Sequence, residues 1–235
     1  MKSGKTRTHK WEFSALGTNW SIETFSELPE TIKEIVLARI ETYDQTYSRF
    51  RTDSLVEQLR TPGTYTFPED IVPMLALYKT LYDVTNGRMT PLIGSMMEQA
   101  GYDANYSLQP KTLTHVPPFT ALGWDGKTTL KPTEPIVLDV GAAGKGYLVD
   151  IIAALLEENN ITEYTIDGSG DIKQKGDHAE TIGLEHPLDN TKVIGTVTLK
   201  NQSLCASAIN RRVWRGLHHI FDPDAMAPTE SRRAT

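Results

Sequence analysis

The apolar positions fall into short runs separated by polar turns. Trp11-Glu12-Phe13 alternates, and Trp20-Ser21-Ile22-Glu23 resumes the alternation after Leu16-Gly17-Thr18-Asn19. A period of two with a glycine between predicts a hairpin or two consecutive strands. Pro29-Glu30 opens a helix to about Tyr43, with Ile32, Ile35, Val36, Arg39 and Ile40 on one side. Ser48-Arg49-Phe50-Arg51 is a loop, and Ser54 to Glu57 is a capping-box pattern that starts a short helix to about Leu59. A stronger helix begins at Glu69-Asp70, carries Ile71, Met74, Leu75, Tyr78, Leu81 and Tyr82 at helical spacing, and ends at Asn86-Gly87. Residues 88–97 are a loop leading into a brief helix; the three methionines of this stretch could line a flat ligand but read more readily as core filler. Residues 101–133 hold four prolines and little periodicity, so an irregular excursion is expected, with a hairpin inside 124–130.

The stretch 135–150 organises the rest. Ile136 to Leu138 has the length and branching of a buried strand. Gly141 and Gly144 turn the chain, and residues 147–156 continue as a helix. Glu163 to Ile166 is then a second strand, which makes a right-handed βαβ unit with the first. Asp167-Gly168-Ser169-Gly170-Asp171 closes it with another glycine turn. Val193 to Leu199 alternates as a strand with Leu204 to Ile209 as its partner, and Leu217 to Phe221 is the last strand, ending at Asp222-Pro223. The sum is an α+β fold: a single mixed domain over residues 1–235, helices early, a βαβ unit and hairpins later.

Composition narrows the chemistry. A length of 235 residues with 39% hydrophobic and 23% charged residues is that of an ordinary globular protein with a sizeable core. The net charge of −6 argues against a nucleic-acid surface, although Arg211, Arg212 and Arg215 make a local basic cluster. Cys205 is the only cysteine, which excludes an intrachain disulfide and a cysteine-built zinc site. No signal-peptide pattern or membrane-length apolar run is visible, so the chain as given is expected in the cytoplasm.

A strand ending in an acid, a glycine turn and a lysine opening a helix can hold a phosphate, because helix N-terminal N–H groups and a lysine both favour an anion. The spacing is neither a P-loop nor a dinucleotide fingerprint: two residues separate Gly141 from Gly144-Lys145, and Gly146 follows the lysine. The other reading is a strand-to-helix turn that binds nothing. Asp139 and Asp171, at the ends of strands that a βαβ unit puts side by side, can hold Mg²⁺. His218 and His219 alternate on a strand, so one of them can face a pocket, as a structural residue or as a base near neutral pH.

Six stretches, in order, resemble the ApbE family of flavin transferases. Leu16-Gly17-Thr18 is similar to its Met-Gly-Thr, and Ser48 through Ser54 to its flavin-contacting S-x-x-x-x-x-S loop. Thr85 through Gly94 resembles T-x-G-x-F-D-P-T-V-G, and Leu138 through Asp150 resembles L-D-L-G-G-I-A-K-G-Y-A-V-D. Asp167 through Ile172 resembles N-x-G-G-D-I, and His218 through Pro223 resembles H-H-I-I-D-P.

The resemblance implies an ApbE-like, T-fold-related domain that cleaves FAD with Mg²⁺ and passes FMN to a Thr or Ser hydroxyl of an acceptor flavoprotein, releasing AMP. It implies FAD contacts at Leu16, Phe50, Arg88, Met89, Thr90, Asp139, Lys145 and Ile220, a metal contact at the Ala142 carbonyl, and a catalytic role for His219. The alternatives are an FAD pyrophosphatase, giving FMN and AMP, and a catalytically impaired FAD-binding paralogue. Three departures stand out. Thr90 replaces the family's acid; Ala206 to Arg211 lacks the glycine of T-S-G-x-Y-R; and the family's later A-D-A-x-x-T, whose acid and threonine complete its metal site, is expected to be missing.

Overall fold

The structure, a computed structural model, describes residues 9–187, 189–209 and 212–229. The chain forms two compact units. Of the described residues, one holds 9–42 and 144–208; the other holds 43–143, 209 and 212–229.

The first unit is built on an antiparallel sheet. Its strands, in spatial order, are His9–Ala15, Thr18–Thr24, Tyr164–Asp167, Asp171–Lys175 and Gln202–Cys205. The first two pair as the expected hairpin, with Ala15 opposite Thr18, so Leu16-Gly17 is a two-residue turn. Both turn residues have positive φ, +50° and +69°, as tight hairpins that follow the strand twist require. Trp20, Ile22, Tyr164 and Ile166 are buried at alternate positions on two of these strands. Helix α4 (Gly144–Glu158) lies against strands 164–167 and 171–175 and buries Leu148, Val149, Ile152 and Leu156 at helical spacing. A long hairpin, Glu180–His186 with Asp189–Leu199, forms a separate two-stranded sheet.

Helix α1 (Glu30–Tyr47) carries the chain from the first unit into the second. The second unit contains helix α2 (Ile71–Val84), helix α3 (Gly94–Gln99), three 3-10 turns and short two-stranded pairings. Ile71, Met74, Leu75 and Tyr78 of α2 are buried, as are Met96, Met97, Leu122, Leu130, Ile136 and Leu138. The methionines at 96 and 97 are therefore core filler. Helix α2 ends as expected, with Asn86 at φ +53° and Gly87 at +86°.

Three expectations change. Ile136–Leu138 is extended and buried but joins no sheet: the Ile136 amide donates to the Leu59 carbonyl, and the Asp139 amide to Pro91. A three-residue run between Pro135 and a turn finds its acceptors on loops and 3-10 turns. There is therefore no βαβ unit, and strand 164–167 pairs antiparallel on both sides. Strand 189–199 pairs with 180–186, while Gln202–Cys205 pairs with 171–175. Finally, Thr129–Leu130 pairs with Tyr65–Thr66 rather than closing a hairpin within 124–130.

Candidate functional site

Most of the expected site residues lie in the second unit, on four segments. In the loop after α1, Ser54 Oγ accepts the Glu57 amide at 3.3 Å, half of the capping-box pattern, at the start of a 3-10 turn, Val56–Arg60, while the Glu57 carboxylate pairs with Arg60 instead. Arg51 is held on the surface by Asp44 and Asp53. Phe50 is half-buried; its ring lies 5.5 Å from that of Tyr106 at an angle of 4°, and meets Tyr102 edge-on.

Segment 85–94 is fixed by Thr85, whose hydroxyl donates to Leu81 and accepts the Met89 amide at 2.9 Å. Thr90 is buried, and its hydroxyl accepts the Leu92 amide, capping the 3-10 turn Pro91–Ile93. The position where the family has an acid thus serves here as a cap. Arg88 is largely exposed, 3.6 Å from Asp224 and 3.9 Å from Asp222. Gly94 follows because the Val137 backbone passes there: a Cβ would sit 2.4 Å from the Val137 oxygen.

The turn 139–143 is braced from inside. Asp139 Oδ1 accepts the Gly141 amide at 2.7 Å, and Oδ2 accepts from Arg49 Nε at 2.6 Å. The Ala143 amide donates to the Tyr78 hydroxyl at 3.1 Å. Two N–H groups that could have cradled a phosphate are therefore engaged, one within the turn and one by α2. Burial, reinforced by the Asp139 charge, pushes the Tyr78 phenol well above its ordinary range, so it stays protonated. Ala142 itself is exposed.

The fourth segment carries the two histidines. His218 Nε2 lies 3.1 Å from the Thr229 carbonyl, and its Nδ1 accepts the Ile220 amide at 3.2 Å. That histidine is tied into the local backbone. His219 differs: its Nδ1 is buried with no hydrogen-bond partner. Burial, then the positive charge of Arg212 and the nearness of His218, lower its pKa from the ordinary value, while the Arg212 backbone and Asp139 oppose this. His219 is thus mostly neutral at pH 7, and its Nδ1 makes no hydrogen bond. Ile220 is half-buried beside it. Of the basic cluster, Arg212 and Arg215 are described, and Arg211 lies outside the described residues.

The first unit contributes Leu16 and Lys145. Leu16 is half-buried at the hairpin turn, in a backbone conformation that a leucine adopts at a cost. Lys145, in the first turn of α4, donates to the Gly168 carbonyl, to the Ser169 carbonyl at 2.8 Å, and pairs with Asp171 at 3.0 Å. These contacts hold the turn 168–170, where Ser169 and Gly170 both have positive φ. Cys205 is exposed as a residue, yet partial desolvation of its thiol, then the hydrogen bond and charge of Asp171, push it up to about 11, which keeps it a thiol at neutral pH.

Asp139 and Asp171 do not end neighbouring strands of one βαβ unit; each is paired with its own cation, Arg49 and Lys145. Among the described residues, no group of three or more His, Cys, Asp or Glu side chains could hold a metal. Sequence reasoning left Arg49, Tyr78 and Gly94 without a site role. The adjacency of Arg49 to Phe50 was the available signal; the other two depend on contacts across more than 40 residues.

The chain belongs to the ApbE family, whose sequence profile matches residues 16–235. It is 21% identical over 248 residues to the FAD:protein FMN transferase of Klebsiella pneumoniae (strain 342), covering 96% of this chain and 69% of that protein. The ApbE protein of Thermotoga maritima MSB8 shares the fold with a TM-score of 0.80 at 22% identity, over 94% of this chain and 78% of its own. Flavin transferase ApbE from Vibrio cholerae gives 0.78 at 18% identity, over 95% and 79%. Among the described residues, no helix is long and apolar enough to cross a membrane.

Proposed function

We propose that this chain transfers FMN from FAD to a Thr or Ser hydroxyl of an acceptor flavoprotein. The observation that carries this, beside the family, is His219: mostly neutral at pH 7, half-buried and with Nδ1 unpartnered. A hydroxyl is a poor nucleophile unless a base is in reach. In the proposed step, the hydroxyl oxygen bonds to the FMN phosphorus of FAD. Its proton passes to His219, the P–O bond to the AMP phosphate breaks, and AMP leaves with the electron pair.

Phe50 is assigned to FAD by its motif, and a flavin stacking on its ring would have to displace Tyr106, which now lies parallel to it. Asp139, Arg88, Met89, Thr90 and Ile220 are assigned to FAD by their motifs, as are Leu16 and Lys145. The Lys145 ammonium would exchange one of its present acceptors for a phosphate oxygen.

A magnesium ion here would have to rely on backbone, phosphate and water oxygens, because Asp139 and Asp171 are each paired with a cation. Mg²⁺ usually binds through only one or two protein carboxylates plus phosphates. The exposed Ala142 carbonyl would hold it, and the ion would supply charge neutralisation at the pyrophosphate.

The test is incubation with FAD, Mg²⁺ and an acceptor domain, followed by denaturing electrophoresis. Flavin fluorescence that stays with the acceptor is expected. AMP release with no labelled acceptor would make the enzyme a pyrophosphatase, and flavin binding without either product would make it a binding protein.

A further inference from the structure

Arg49 has no assigned role, yet its contacts reach three parts of the second unit. Its side chain is 3% exposed. Nε donates to Asp139 Oδ2 at 2.6 Å, and Nη1 donates to the Tyr102 carbonyl at 2.9 Å. The guanidinium carbon lies 4.2 Å from the centre of the Phe50 ring and 5.3 Å from that of Tyr102. Nη2 is buried with no hydrogen-bond partner.

This arrangement is costly for stability alone. A buried guanidinium gives up its hydration, and an unmade hydrogen bond at Nη2 adds to that. An apolar side chain of similar volume would fill the same space with neither cost. What the guanidinium does that an apolar residue cannot is grip a carboxylate while lying along an aromatic ring. With Oδ2 fixed by Arg49, Oδ1 is aimed at the Gly141 amide, and the turn bearing Ala142 is set.

We propose that Arg49 is a positioning residue: it fixes the Asp139 carboxylate, and through it the turn 139–142, while holding the Phe50 ring in place. The importance of those groups for FAD rests on the function proposed above. A lysine cannot replace it fully, because one ammonium cannot reach the carboxylate and the Tyr102 carbonyl with a planar fork lying along Phe50.

The test compares wild type with Arg49→Met and Arg49→Lys by three readouts: the Gly141 amide proton by NMR without flavin, FAD affinity by flavin fluorescence quenching, and thermal unfolding. In Arg49→Met the Gly141 amide should move upfield and exchange at least tenfold faster, and FAD affinity should fall at least tenfold. Arg49→Lys should recover part of both. A folded Arg49→Met with the Gly141 amide unmoved, or with FAD affinity within twofold of wild type, overturns the inference. Should Arg49→Met not fold, Arg49→Lys decides: an unchanged amide and unchanged affinity overturn it. If wild type itself binds no FAD, the flavin reading falls, while the amide shift still decides whether Arg49 sets the turn.

Discussion

Two cation–carboxylate pairs hold two glycine turns, and they differ in how they do it. Arg49–Asp139 braces the turn before α4 with a cation whose side chain is 3% exposed. Lys145–Asp171 braces the turn 168–170 with one that is 26% exposed. In the first pair the guanidinium has one carboxylate and one carbonyl, and a nitrogen left over. In the second the ammonium has two carbonyls besides its carboxylate. The buried pair is therefore intolerant of losing a member, while the half-exposed one has water and carbonyls in reserve. The same contrast separates a fixed element from one that can change partners, as the role proposed for Lys145 requires.

The sharpest way to break this comparison is to remove each acid. Asp139→Ala leaves a buried guanidinium without its counter-charge and should cost about 3–5 kcal/mol in denaturant unfolding. Asp171→Ala should cost less than about 1 kcal/mol, because Lys145 keeps both carbonyls and partial hydration. Equal losses would show that burial does not distinguish the pairs. Between these extremes, Gly94→Ala pushes a methyl into the Val137 backbone and should cost about 1–3 kcal/mol by the same measurement. On the other unit, Leu16→Asn should gain about 0.5–1 kcal/mol, seen as a melting temperature higher by a few degrees. Asn-Gly suits a turn with two positive φ angles where leucine does not.

How far the sequence could be read follows the range of the interactions. The first hairpin, α2 with its Asn86-Gly87 end, and the Ser54 cap are local, and their residues announce them. The antiparallel arrangement of 164–167 was not legible. Ile136–Leu138 has a strand's composition, and only the distant Leu59 and Pro91 carbonyls decide that it pairs with loops instead. The site shows the same division. Motif order marked Asp139, Lys145 and His219, but the partners that give each its character come from elsewhere. Asp139 depends on Arg49, ninety residues earlier, and the Ala143 amide on Tyr78. That His219 and not His218 keeps an unused nitrogen follows from the Ile220 amide and the Thr229 carbonyl claiming His218.

The smallest predicted effect concerns pH. The folded-state pKa of His219 lies below the ordinary 6.5, through burial, the charge of Arg212 and the nearness of His218, against the pull of Asp139. Above pH 6.5 both folded and unfolded chains hold it neutral, and its contribution to stability is fully present. As pH falls through 6.5 the unfolded chain takes the proton first, and stability declines until the folded pKa is passed. His219→Asn should flatten that part of the stability profile, measured by unfolding between pH 7 and 5.

The central claim is that His219 assists transfer of FMN to a hydroxyl, and mass spectrometry of an acceptor domain tests it most directly. After incubation with wild type, FAD and Mg²⁺, the acceptor should gain the mass of FMN less one water on a threonine or serine. His219→Asn, equally folded, should slow that gain by about 10²–10⁴-fold. An acceptor left unmodified by wild type that has FAD bound, or one modified as fast by His219→Asn, would contradict the account.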